Sequence, residues 1–334
     1  MNIFLTLDYE LFFGKNSGTQ QKCIIEPIDK LLNILDKYDI KATFFVDSGY
    51  LIKLDEYRKQ YPILEDDYCA VRSQIEELDK NGHDIQLHIH PHWEDSCFNG
   101  TKWMIDIGRY RLHDFNKNEI DDIVYRYKKV LTDIVGDKIF MHRAGGWCLQ
   151  PFEMLVGALK KYNIWLDSTV FEDGKNKSPS HFFDFTNAPK KTLWKFNANP
   201  LIEDKNGFFT EVPIGSYKVS PLFFWKLAYL KFLGNNRYKA FGDGNAASSS
   251  TSKWSKFRML TQYTNSVVSI DGYKVSFLEK AYREFLKKED STNFVVIGHP
   301  KAMSLFSLEK LEEFIIKNKN ENFTTYFKEF NNAK

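Results

Sequence analysis

Short apolar runs and amphipathic runs take turns along most of this chain, and that alternation restricts its fold more than any other feature. "NIFLTLD" has the length of a strand, and "PIDKLLNILDKYD" follows it with Ile28, Leu31, Leu32 and Leu35 at helical spacing. "KATFFVD", the helical "VRSQIEELDKNG" and "DIQLH" repeat the unit. "NEIDDIVYRYKKVLTDIVG" then precedes "KIFMHR", and "PFEMLVGALKKYN" precedes "IWLDSTVF". Near the carboxyl end "YKVSFLEKAYREFLKK", "NFVVIGH" and "SLEKLEEFIIKNK" resume the pattern. Such alternation predicts an α/β fold of parallel strands covered by helices, as an open doubly wound sheet or a barrel. With 334 residues, 43% of them hydrophobic, the chain can bury a large core, and a single domain over 1–334 is expected. Only the region at about 175–270 departs from the pattern. It reads as an elaboration inserted before the last strand, with a flexible, low-complexity loop in "GDGNAASSSTSKW".

Several partner classes fall away on composition. A formal charge of +2 offers no field that would recruit nucleic acid. "MNIFLTLDYE" runs directly into a strand without a basic leader or cleavage site, which predicts a cytoplasmic protein. No stretch reaches the ~18 apolar residues of a membrane span. The aromatic and basic piece at 217–232 suits contact with a membrane surface, with Phe223, Phe224 and Trp225 inserted and Lys226 and Lys231 near headgroups, or a helix packed on the core. Cys23, Cys69, Cys97 and Cys148 form no CxxC pair and read as reduced thiols.

Polar residues close the predicted strands. Asp8 ends the first, His88 the third, Arg143 the fourth, Asp167 the fifth and His299 the last. Parallel strands deliver these ends to one face, where α/β proteins build their sites. "GHDIQLHIHPHW" adds His83, His88, His90 and His92 within ten residues. Pro91 stops the strand, so His92 can turn back and meet one cation together with His88. Two imidazoles leave a divalent ion short of ligands, and Asp8 or Glu10 of "LTLDYE" would complete it, with Tyr9 pointing away. His90 reads as a third ligand, a substrate contact or a supporting donor, and His83 as a surface or capping residue.

"LTLDYE", "ATFFVD", "GHDIQLHIHPHW", "HRAGGW", "DSTVF" and "VVIGHP" resemble, in order and spacing, the polysaccharide deacetylase family, metal-dependent carbohydrate esterases of the chitin-oligosaccharide deacetylase type. The resemblance spans residues 1 to about 170 and returns at about 290–303. It departs from the commonest pattern in the first motif, where Tyr9 stands in the place of an aspartate and the motif becomes Asp-x-Glu. The fold it implies is a distorted (β/α) barrel, often of seven strands. The chemistry it implies is removal of an N-acetyl group from a sugar, with one divalent ion, zinc or another transition ion, on Glu10, His88 and His92. In that reading Asp8 is the base, Arg143 orients it, His299 protonates the leaving amine and Asp167 holds His299. Trp147 and Trp93 would stack on a sugar ring or pack under the loops. The expected substrate is a nucleotide-linked or lipid-linked precursor of a surface glycan. Alternatives are a catalytically silent sugar-binding protein, a hydrolase of another C–N bond, and a metallophosphoesterase, which would need more carboxylates.

Overall fold

The computed structural model of the chain describes residues 1–178, 181–246 and 253–331, so part of the low-complexity loop lies outside the described residues. The strand-helix units take the expected form. β1 (Asn2–Tyr9) leads to α1 (Glu26–Lys37), β2 (Thr43–Asp47) to α2 (Ser48–Arg58) and α3 (Glu65–Lys80), and β3 (Asp84–Ile89) to α4 (Lys117–Val135). β4 (Met141–Ala144) leads to α5 (Val156–Lys161), followed by the short strands β5 (Leu166–Asp167), β6 (Trp194–Phe196) and β7 (Phe209–Glu211). After a helical excursion, α8 (Leu278–Phe285), β8 (Asn293–Gly298) and α9 (Leu305–Lys317) precede β9 (Asn322–Thr324) and α10 (Tyr326–Phe330). Local chemistry sets the helix ends. Asn116 accepts hydrogen bonds from the backbone N–H of Asn118 and Glu119, and Glu119 reaches back to the N–H of Asn116, a reciprocal cap that starts α4. Ile120, Ile123, Val124, Tyr127 and Leu131 then form its buried stripe.

The sheet runs in the order β6-β7-β5-β4-β3-β2-β1-β8, with β9 added to β1. Every neighbour pair is parallel except β6 with β7. The count among the described residues is nine rather than seven, because the antiparallel β6 and the carboxyl-terminal β9 both join. Two of the nine, β6 and β7, come from the region that departs from the alternation. The sheet curls until its ends meet. The N–H of Gly215, just beyond β7, donates to the carbonyl of Val295 in β8 at 2.9 Å, and the segment 268–270 exchanges hydrogen bonds with Ile297. A Cβ at Gly215 would stand 2.8 Å from that carbonyl, so only glycine allows the approach.

The amino-terminal end of the barrel is plugged by the carboxyl-terminal segment. The Tyr326 ring stacks on Phe4 with centroids 4.5 Å apart, and its hydroxyl meets Ser168 Oγ at 3.0 Å. Ser168 Oγ also accepts from Arg143 at 3.2 Å, so the plug is tied to the polar interior. Tyr326→Phe should therefore cost about 1–2 kcal/mol, the price of one buried hydrogen bond, read as a lower denaturant midpoint. An unchanged midpoint would mean that the hydroxyl contributes nothing.

Candidate active site

Side chains alternate across a strand, and that rule assembles the site. In β1, Thr6, Asp8 and the following Glu10 face the barrel interior, whereas Tyr9 points outward to the carbonyl of Val71. In β3, His88 and His90 share the inner face, and His88 stands in register with Arg143 of β4 and Asp47 of β2. All these groups are buried.

Arg143 is the rigid centre. Its guanidinium donates to Asp8 Oδ1 (2.7 Å), Thr6 Oγ1 (3.0 Å), the carbonyl of Ser168 (2.8 Å) and Ser168 Oγ, and lies 3.9 Å from the centre of the Phe45 ring. Asp8 Oδ1 is thus occupied. Asp8 Oδ2 looks into the site, 3.5 Å from His299 Nε2 and 3.8 Å from His88 Nε2.

Glu10, His88 and His90 form the second cluster. Glu10 Oε2 lies 2.6 Å from His90 Nε2 and 3.3 Å from His88 Nε2, and the two ring nitrogens are 3.0 Å apart. His88 Nδ1 donates to the carbonyl of Arg143 at 2.9 Å, which leaves the Nε2 lone pair facing the cluster. Burial and the neighbouring positive groups push His90 down to about 4, so it is neutral at pH 7. Three electron-rich atoms this close repel one another unless a proton or a cation sits among them. Burial opposes a charge on His88, yet Asp8 and Glu10 raise its pKa, as they would favour any positive charge placed there. One carboxylate and two imidazoles suit a divalent transition ion, and these are the three residues whose ligand atoms gather closely enough to hold one among the described residues.

His92 is placed elsewhere. It was expected to pair with His88, but it lies outside this trio: both its ring nitrogens are buried without a partner, and its ring stacks on Tyr110 at 5.5 Å. Pro91 begins a 3₁₀ turn that carries His92 away from the face on which His88 and His90 lie two residues apart. His90, left open as ligand, substrate contact or supporting donor, is the imidazole that the strand period brings in.

His299 follows β8 and holds the third position. Its backbone N–H and Nδ1 both bind Asp271, at 2.7 and 2.8 Å. Burial lowers its pKa, but Asp271, Asp8 and Glu10 outweigh that and raise it to about 9. Its side chain is 19% exposed, against 6% for Asp8, so it marks the side from which solvent reaches the cluster. Asp167 does not serve it. Asp167 stands in register with His142, not Arg143, and so lies on the other face of the sheet, where it binds His142 Nδ1 at 2.8 Å and neighbours Glu211.

Trp93 is fully buried and donates its indole N–H to Asp47 at 2.6 Å, which leaves no ring face for a sugar. Burial holds that Asp47 carboxyl up at about 7. Trp147 keeps part of its ring exposed, two residues beyond a glycine whose Cβ would touch His90. His83 is buried, its Nδ1 accepting from the N–H of Ala42. Two participants went unread in the sequence. Asp271 sits in the irregular segment beside β8, where no periodic signal points to it. Lys301, two residues past His299, is buried and donates to Glu10 Oε1 at 2.9 Å and to the carbonyl of Leu11. Its spacing from His299 was the available signal. Burial pushes the Glu10 carboxyl up, but Lys301 and the imidazoles hold it well below the usual range.

Residues 24–146 match the family model described as polysaccharide deacetylase. That stretch is similar to a polysaccharide deacetylase domain. The matched stretch holds His88, His90, His92 and Arg143, whereas Asp8, Glu10, Asp271 and His299 lie outside it and are gathered by the fold. No curated protein matches the chain. Three solved structures are similar at low identity. A Mycobacterium smegmatis protein provisionally named a polysaccharide deacetylase is 15% identical, with 95% of this chain and 82% of that one covered at a TM-score of 0.46. A CE4 esterase of Streptococcus mutans is 12% identical, with 97% and 84% covered at 0.41. The catalytic domain of a peptidoglycan N-acetylglucosamine deacetylase from Eubacterium rectale is 14% identical, with 97% and 86% covered at 0.36.

Proposed function

We propose that this protein is a metal-dependent hydrolase that removes the N-acetyl group from an amino sugar in a surface-glycan precursor. The observation that carries the reading is the convergence of Glu10, His88 and His90 beside two differently held proton-transfer groups, Asp8 on Arg143 and His299 on Asp271. Glu10, His88 and His90 would hold the ion, and zinc is the ion this donor set favours, with other transition ions also suited. When bound, a divalent ion polarises a carbonyl and acidifies water.

The remaining work falls to the chain's own side chains. Arg143 fixes Asp8 Oδ1, so Oδ2 is presented as the base that takes a proton from water as its oxygen attacks the acetyl carbon. Protonated His299, steadied by Asp271, donates its Nε2 proton to the amide nitrogen as the C–N bond breaks, giving acetate and a free amine. The 3.5 Å between Asp8 and His299 lets the proton pass back and reset both groups. Trp147 offers a partly exposed ring to the sugar.

The purified protein should carry about one divalent ion per chain, since one such trio is visible among the described residues. His90→Ala should lose the ion and His92→Ala should keep it, by elemental analysis of both variants with acetate release measured alongside. The reverse pattern would return the second imidazole to His92, and no ion in the wild type would remove the site.

A further inference from the structure

Between the hairpin strands Ser216–Val219 and Thr264–Val267 the chain makes α6 (Pro221–Leu233) and α7 (Lys253–Thr261), which pack on each other. The inner side of α6 is anchored, with Phe223 stacked on Tyr273 at 5.4 Å and edge-on to Phe277 at 5.3 Å. Its outer side is reversed from the usual pattern. Leu222, Trp225, Tyr229 and Phe232, at spacings of three and four, are 76%, 57%, 60% and 87% exposed. Phe257 and Tyr263, on and just after α7, are exposed as well. Large apolar side chains exposed together in this way mark an interaction site.

Charge identifies the occupant. From Ser216 to Tyr263 there are eight lysines and arginines and one carboxylate, Asp243, which accepts from the N–H of Thr19 at 2.8 Å. The chain as a whole is nearly balanced at +2, so the excess is local. A second copy would bring like charges together across the patch, which opposes self-association. An anionic bilayer complements the basic residues and accepts the Trp, Tyr and Phe side chains at its interface.

A cavity of about 480 Å³ lies beneath α6, lined by Leu227, Leu230, Tyr238 and Tyr273, and reaches Asp271, the carboxylate that holds His299. The chain leaving α6 also returns to the site, where the N–H of Gly242 binds the carbonyl of Lys301 at 3.0 Å. A Cβ at Gly242 would stand 2.8 Å from that carbonyl. α6 therefore roofs a cavity that reaches the carboxylate on which the proposed acid is held.

We propose that α6 and α7 seat the protein on an anionic bilayer, and that its substrate is an N-acetylated sugar on a lipid carrier whose apolar part enters the cavity under α6. The docking stands by itself, while the substrate class rests on the deacetylase reading. The test is flotation of the whole, metal-loaded protein with vesicles of phosphatidylglycerol and phosphatidylcholine in equal parts, and with phosphatidylcholine alone. Binding should be ~tenfold or more stronger to the anionic vesicles and weaken with salt. Leu222→Glu with Phe232→Glu should abolish it, and Lys218→Glu with Lys226→Glu should erase the preference for anionic lipid. Both variants change exposed residues, and unchanged circular dichroism would establish that they fold. The first pair should release acetate from a soluble N-acetylated oligosaccharide at the wild-type rate, and lose ~tenfold or more on a lipid-linked N-acetylated sugar in the same vesicles. Wild-type protein that floats with neither vesicle overturns the docking, and a dimer broken by the first pair assigns the face to a second copy. Floating protein that turns over the soluble sugar but ignores the lipid-linked one overturns the substrate class. Floating protein that releases no acetate from either leaves the docking standing and removes the deacetylase reading.

Discussion

Asp8→Asn should keep its metal and lose ~10²–10⁴-fold in turnover, the range a positioned general base contributes. The amide is nearly isosteric and can still accept from Arg143, so the pocket should persist, but it is a very poor proton acceptor. Glu10→Ala should behave in the opposite order, because its Oε2 is the carboxylate oxygen among the imidazoles, and loss of the ion should come first. The variant also strands Lys301, whose ammonium is buried against Glu10 Oε1, so its stability should fall as well. Metal titration and acetate release on the two variants side by side separate the roles. If Asp8→Asn loses the ion and Glu10→Ala keeps it, the assignments are exchanged.

The second large effect concerns His299. His299→Gln should keep the ion and lose ~10²–10⁴-fold in turnover, the range a positioned proton donor contributes. Its pKa is raised to about 9, so the acid form persists through neutral pH and activity should fall as pH rises through that value. The sign for stability is the same. A raised pKa means that the folded state holds the proton more tightly than the unfolded one. The stabilisation is complete below the ordinary histidine value of about 6.5 and is lost as pH climbs through about 9. Asp271 is the largest of the raising influences, and Asp271→Asn should move the alkaline limb of the pH–rate profile downward by ~1–3 units. A limb that stays in place in Asp271→Asn, or a wild-type rate in His299→Gln, would remove the proton-donor role.

Much of this arrangement is legible in one dimension because the strand period is short and strict. Asp8 and Glu10 flank an outward Tyr9, and the same period that separates them from tyrosine also places His90, not His92, beside His88. The spacing of the motif points to His92 with His88, whereas the pleat of the strand brings His90 to the same face. Register likewise sets Asp167 apart from His299, because a residue adjacent in register to His142 must face away from Arg143. Trp93 shows a different limit. Its indole N–H finds Asp47 only after α2 and the turn behind β3 have packed, and nothing local to "HPHW" encodes that partner.

By itself the sequence determined the strand-helix alternation, the delivery of Asp8, His88, Arg143 and His299 to one end of a parallel sheet, and the pairing of Asp8 with Glu10 on one face. These depend on periodicities of two and 3.6 residues, which act between neighbours along the chain. Tertiary structure alone decided that Asp271 holds His299, that Lys301 faces Glu10 across more than 290 residues of chain, and that Tyr326 closes the far end of the barrel against Phe4. It also decided that α6 turns its apolar stripe outward, because whether such a stripe becomes core or surface depends on whether another element arrives to cover it. The first three are contacts between segments distant in sequence, and the fourth is the absence of such a contact among the described residues.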